Sequence, residues 1–130
     1  PVIGPASPLI AAGQLIFKGA LCMMASGYLQ DGGDLADAIF AGLSIDGTGG
    51  QTTSADGVFS DGSVARTRLI TEGVVLVNLT GVAQGDVGAE VYLVDDDTVA
   101  LTTTNSVRVG RIVELGPTSD TCWVAFRALR

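Results

Sequence analysis

The sequence predicts an all-β fold, a small antiparallel β-barrel or sandwich of about eight short strands with an extended N-terminal arm. Three observations carry this. Short runs rich in Val, Ile and Thr (Val91–Val94, Val99–Thr102, Val107–Leu115, Thr121–Arg127) are cut by Asp95-Asp96-Asp97, by Thr104-Asn105-Ser106 and by Gly116-Pro117-Thr118-Ser119-Asp120. The last run alternates, with Cys122, Val124 and Phe126 on one face and Thr121, Trp123, Ala125 and Arg127 on the other. Only one segment, Leu35 to Phe40, is compatible with a helical turn, with Asp34 placed to cap it.

The elements follow in order. Residues 1–13 form the arm: Pro1, Pro5 and Pro8 exclude a helix, because proline lacks the amide donor and restricts its predecessor. Val2, Ile3, Leu9 and Ile10 make it an arm that docks rather than a free tail. Residues 14–130 read as one β domain. Its first strand runs from Gln14 to Met24 with a bulge at Gly19; Ala25-Ser26-Gly27 then turns the chain back into Tyr28-Leu29. Asp31 to Asp34 is a loop, and Phe40 to Ile45 a second strand.

Asp46 to Asp61 is a long Gly/Ser/Thr-rich loop in which Val58 and Phe59 pack locally. Ser63–Thr71 and Val74–Leu79 are strands around Glu72-Gly73; in the first, Arg66 and Arg68 share one face while Ala65, Thr67 and Leu69 share the other. Gly81 to Gly88 is a turn. In Ser106 to Leu115 the apolar phase slips, and a bulge at Gly110–Arg111 accounts for it.

Composition narrows the chemistry. With 130 residues, seven Lys and Arg against fourteen Asp and Glu, the net charge is −7. That balance repels a phosphate backbone, so a nucleic-acid role is not expected. There is no His, which removes the commonest general base and metal ligand. Cys22 and Cys122 lie in apolar runs too far apart for a zinc motif, and read as buried thiols rather than a disulfide. No apolar run approaches the roughly 20 residues of a membrane span.

Asp95 to Asp97 lacks the spaced ligands of a calcium loop and reads as an acidic hairpin turn. Asp46 to Gln51 is Gly-rich, but no Gly-Lys-Ser/Thr follows, so it is not a phosphate loop. Asp31/Asp34 and Asp56/Asp61 are carboxylate pairs in Gly-rich loops, where solvated acids are expected. No enzyme, cofactor or metal site is expected. Only 16% of residues are charged, which fits either a surface covered by partners or a tight β domain that needs few charges.

From VYLVDDDTVALTTTNSVRVGRIVEL through Cys122–Phe126, the chain resembles a family of tailed-phage capsid decoration, or cement, proteins. The shared order is a Val-Tyr strand, an acidic turn, a Thr-rich return, then Asn105 to Gly110 and a closing alternating strand. The upstream Lys18-Gly19-Ala20-Leu21 strand with its Gly27-Tyr28 turn is similar to the family's opening, and the stretch from Gly42 to Gly50 falls at its Gly-rich loop. The Pro-rich start and the stretch from Thr52 to Gly62 depart from the pattern.

The resemblance implies a β-barrel or tulip-like domain, often a homotrimer, that clamps the phage major capsid protein on the exterior of the virion. It implies no cofactor and no catalysis. Pro1, Val2, Ile3, Pro5, Pro8, Leu9, Ile10, Arg66 and Arg68 are then the candidate capsid or subunit interface. The alternatives are a β-sandwich module recognising glycan or host surface, and another virion part such as a tail or head-completion protein.

Overall fold

A computed structural model describes residues 8–45, 57–59 and 66–129. Eleven strands occur among them: β1 (Leu15–Phe17), β2 (Leu21–Ala25), β3 (Tyr28–Asp31), β4 (Ile39–Ser44), β5 (Gly57–Phe59), β6 (Leu69–Ile70), β7 (Glu72–Asn78), β8 (Glu90–Leu93), β9 (Val99–Ala100), β10 (Arg108–Leu115) and β11 (Thr121–Arg127). They form a five-stranded sheet in the order β7-β11-β10-β8-β9, a four-stranded sheet in the order β3-β2-β4-β6, and the pair β1-β5. All strand pairs are antiparallel. The expected all-β fold, a small antiparallel β-barrel or sandwich, is what the chain adopts.

The four-stranded sheet is the middle layer. Leu21, Met23 and Phe40 face the five-stranded sheet and join Val91, Leu93, Val109, Ile112, Val124 and Phe126 in the larger core. Cys22, Leu29, Ala41 and Leu69 face the other way and pack with Ile10, Ile16 and Ala20. A strand buried on both faces needs no polar alternation, which is why Leu21–Ala25 reads as an unbroken apolar run. Phe40 and Phe126 lock the two sheets edge to face, centroids 5.8 Å apart.

Three expectations are corrected. Gln14 to Met24 is two strands, not one with a bulge: Gly19 sits at φ 82°, and its amide donates to the Ser44 carbonyl at 2.7 Å, so the chain turns there and β1 leaves for a different partner. Leu35 to Phe40 is not helical. Asp34 does not cap a helix; its carboxylate accepts the Thr104 and Asn105 amides at 3.0 and 2.8 Å, and Ile39 already belongs to β4. The loop from Asp46 to Asp61 contains a strand, since Gly57–Phe59 pairs with Leu15–Phe17; the rest of that loop lies outside the described residues.

Two further readings shift in detail. Of Ser63 to Thr71, only Leu69–Ile70 is regular strand and Arg66 forms a single bridge, while 63–65 lie outside the described residues. The bulge in β10 falls one residue earlier than expected, between Arg108 and Gly110 against β8, with a second between Ile112 and Glu114 against β11. Gly110 is required there for a different reason, because a Cβ would collide with the Ala125 carbonyl.

Candidate interaction surfaces

The N-terminal flank comes first. Leu9 bridges Arg66 antiparallel and Ile10 bridges Leu29 parallel, so the chain before β1 is stitched across the edges of the four-stranded sheet. The Leu29 amide donates to the Leu9 carbonyl at 2.8 Å, and the Ala11 amide to the Leu29 carbonyl at 2.9 Å. Ile10 is 4% exposed and belongs to the chain's own core. Pro8 and Leu9 are partly exposed.

Arg66 and Arg68 point outward while Thr67 and Leu69 are buried, which is the alternation the sequence predicts. The segment is held by a buried hydrogen bond between the Ser44 and Thr67 hydroxyls at 2.7 Å, and by the Ile45 amide donating to the Arg68 carbonyl at 3.0 Å. The structure therefore brings Pro8, Leu9, Ile10, Arg66 and Arg68 onto one flank. Pro1, Val2, Ile3 and Pro5 lie outside the described residues.

The acidic corner is the second feature. Carboxylate oxygens of Asp95, Asp96 and Asp97 lie within 4.8 Å of one another. They are the residues that could hold a cation, but the turn itself uses them: the Asp97 amide donates to Asp95 Oδ1 at 3.0 Å, and Thr98 Oγ1 donates to Asp97 Oδ1 at 2.8 Å. The turn presses on the middle sheet, where the Leu21 amide donates to the Asp96 carbonyl at 2.8 Å.

Asp31, at the end of β3, faces this corner. Burial first, then the charge of Asp96, push its carboxyl from 3.8 up to about 7. Its Oδ1 is buried without a hydrogen-bond partner. This corrects the reading of Asp31 as a solvated loop acid; the signal was absent because Asp95 to Asp97 lie over sixty positions away. Asp31 and Asp34 do not form a working pair, since Asp34 latches the loop at Thr104-Asn105. Asp56 and Asp61 lie outside the described residues. Cys22 and Cys122 are free buried thiols, as expected, and burial with the Asp31 charge pushes Cys22 up to about 12.

The third surface went unnoticed in the sequence. The outer face of β7, β11 and β10 exposes Val74 (57%), Val113 (47%) and Leu76 (40%) around the partly exposed Trp123 and Ala125. Register sets Leu76 opposite Trp123 and Val74 opposite Ala125, so these side chains are contiguous. At one end an open groove is lined by Phe40, Arg108, Arg111, Arg127 and Leu129, among others. Two of its arginines are engaged: Arg108 and Arg111 pair with Glu90 at 3.2 and 3.1 Å.

The fold is a small all-β domain that carries three surface features, the N-terminal flank, the acidic corner and the exposed face of β7, β11 and β10. The chain matches no protein-family model, no curated protein and no solved structure.

Proposed function

We propose that the chain is a structural protein of a phage virion, binding the outer surface of the head and holding neighbouring major capsid subunits together. The order of strand and turn signals supports this reading. The observation that carries it is the anchoring of the N-terminal flank, where Leu9 and Ile10 are fastened by two bridges and a buried side chain beside the outward Arg66 and Arg68. A clamp needs its contact arm tied to a rigid body, so that load on the arm is resisted by the core and not by a loop. Each copy adds a modest interaction that has to break when the shell opens, and many copies act together.

The anchoring also refines the test. Pro8, Leu9 and Ile10 belong to the fold, so the informative deletion removes Pro1–Ser7 alone. The shortened protein is expected to keep its melting temperature but to lose occupancy in co-sedimentation with phage heads. Unchanged occupancy overturns the role given to the arm, and failure of the intact protein to bind heads at a fixed ratio to the major capsid protein overturns the function. A glycan-binding module would need stacked aromatics at its surface. Among the aromatic side chains whose burial the structure describes, Tyr28, at 49%, is the one exposed.

A further inference from the structure

We propose that the open groove lined by Arg108, Arg111 and Arg127 takes the carboxyl end of a polypeptide whose last residue is apolar. Its donors come from two strands. Arg108 and Arg111 stand three apart in β10, a spacing that puts side chains on opposite faces of a regular strand. The bulge between Arg108 and Gly110 restores them to one side, where both meet Glu90, at 3.2 and 3.1 Å. Arg127 ends β11, opposite Glu72 in register, and among the described residues no ion pair or hydrogen bond engages its side chain. The apolar part of the lining is Phe40, Phe126 and Leu129, held together where the Leu129 amide donates to the Phe40 carbonyl at 2.8 Å.

Charge and shape choose the occupant. Arg108, Arg111 and Arg127 carry three permanent positive charges, and Glu72 and Glu90 two negative ones, so these five groups leave one positive charge to be met. A carboxylate meets it, whereas a phosphate group, at about −1.5 to −2, overshoots. The guanidinium fork also suits a carboxylate, through two parallel N–H···O bonds. Arg108 reaches Glu90 through Nε, and Arg111 donates from Nη1 to the Gly88 carbonyl at 3.0 Å. Arg127 and the terminal nitrogens of Arg108 therefore hold donors for a ligand. Leu129, 44% exposed, offers an apolar side chain of the ligand a surface to cover. At about 290 Å³ the groove lies at the lower end of the roughly 300–1,000 Å³ of ligand pockets, which suits a single residue. Because it is open, the preceding chain can leave into solvent. The carbonyls of that chain accept from the arginine N–H groups the carboxylate does not use, an advantage over a free acid.

The test is a titration of the full chain followed by amide NMR. Acetyl-Gly-Gly-Phe with a free carboxyl end is expected to shift the amides of residues 108–111 and 126–129 saturably, with a dissociation constant on the order of 1 mM or tighter. The same peptide amidated at its end, and acetyl-Gly-Gly-Gly with a free end, should each bind roughly 10-fold weaker or worse. Arg127→Gln removes a cation with no partner among the described residues, so it should weaken the Phe peptide about 10-fold and leave the melting temperature unchanged. Lys18→Gln, an exposed cation outside the groove, should leave binding as in wild type. Phenylpropionate and inorganic phosphate should both bind more weakly than the peptide. No saturable shift at about 20 mM peptide, equal binding of the amidated peptide, or an Arg127→Gln protein that binds like wild type each overturns the assignment. Phenylpropionate or phosphate binding as tightly as the peptide overturns the choice of a peptide end. None of these results bears on whether the protein binds heads.

Discussion

Asp31→Asn should make the protein more stable above neutral pH and leave it nearly unchanged in acid. In the folded state the Asp31 carboxyl is half-buried and faces Asp95, Asp96 and Asp97, so it keeps its proton up to about pH 7, against an ordinary 3.8. A carboxyl raised in this way holds its proton more tightly folded than unfolded. Its stabilising contribution is therefore complete below about pH 3.8 and is lost as pH rises to about 7. The difference between the two values corresponds to about 4 kcal/mol if fully transmitted; for a half-buried group screened by solvent we take about 2 kcal/mol. Asn cannot ionise, so the variant should gain that amount at pH 8 and almost nothing at pH 4. Urea unfolding of both proteins at several pH values from 4 to 8 reads the difference directly. At pH 8 the gain should also appear as a rise in melting temperature of about 5–10 °C. Asp95 contributes in the opposite sense: burial pushes its carboxyl up, but the hydrogen bonds of its turn outweigh that and hold it below the ordinary range. An equal gain at pH 4 and pH 8, or a loss at pH 8, would refute the reasoning.

Other perturbations test the packing. Phe126→Ala removes one ring of the buried pair that joins the two sheets and should cost about 3–5 kcal/mol in denaturant unfolding. A loss under 1 kcal/mol would show that the pair does not hold the sheets together. Asp34→Ala deletes the acceptor for the Thr104 and Asn105 amides; those two should lose hydrogen-exchange protection, at a cost of about 1–3 kcal/mol. Protection that survives would place the latch elsewhere. Both thiols should resist a disulfide-exchange reagent at pH 8 while the protein is folded, and react in urea, because burial raises Cys22 and Cys122 alike. Prompt reaction of either thiol in the folded protein contradicts their burial.

Much of the fold was legible because a strand writes its facing into the sequence with a period of two. The alternation of Cys122, Val124 and Phe126 with Trp123 and Ala125, and of Arg66 and Arg68 with Thr67 and Leu69, appears in the structure as predicted. The turn at Ser26-Gly27 was equally plain, since φ of 51° and 85° asks for such residues. The misreadings occur where a local signal was ambiguous. Gly19 is compatible with either a bulge or a turn, and the choice was made by Ser44, whose carbonyl takes its amide. Asp34 is a sound helix cap by residue type, yet Thr104 and Asn105 compete for its carboxylate and win. Gly57–Phe59 is too short to stand out in a Gly/Ser/Thr-rich stretch, and only Leu15–Phe17 makes it a strand.

The candidate surfaces divide in the same way. By itself the sequence determined an all-β chain, acidic, without His, with turns at stated positions and faces of known polarity, because all of these depend on neighbours within a few residues. Tertiary structure alone decided that Leu9 meets Arg66, that Asp31 meets Asp96, and that Val74, Leu76, Val113 and Trp123 share one exposed face. Each of these contacts joins residues distant in sequence through sheet register, and register is chosen by which whole faces can be buried together.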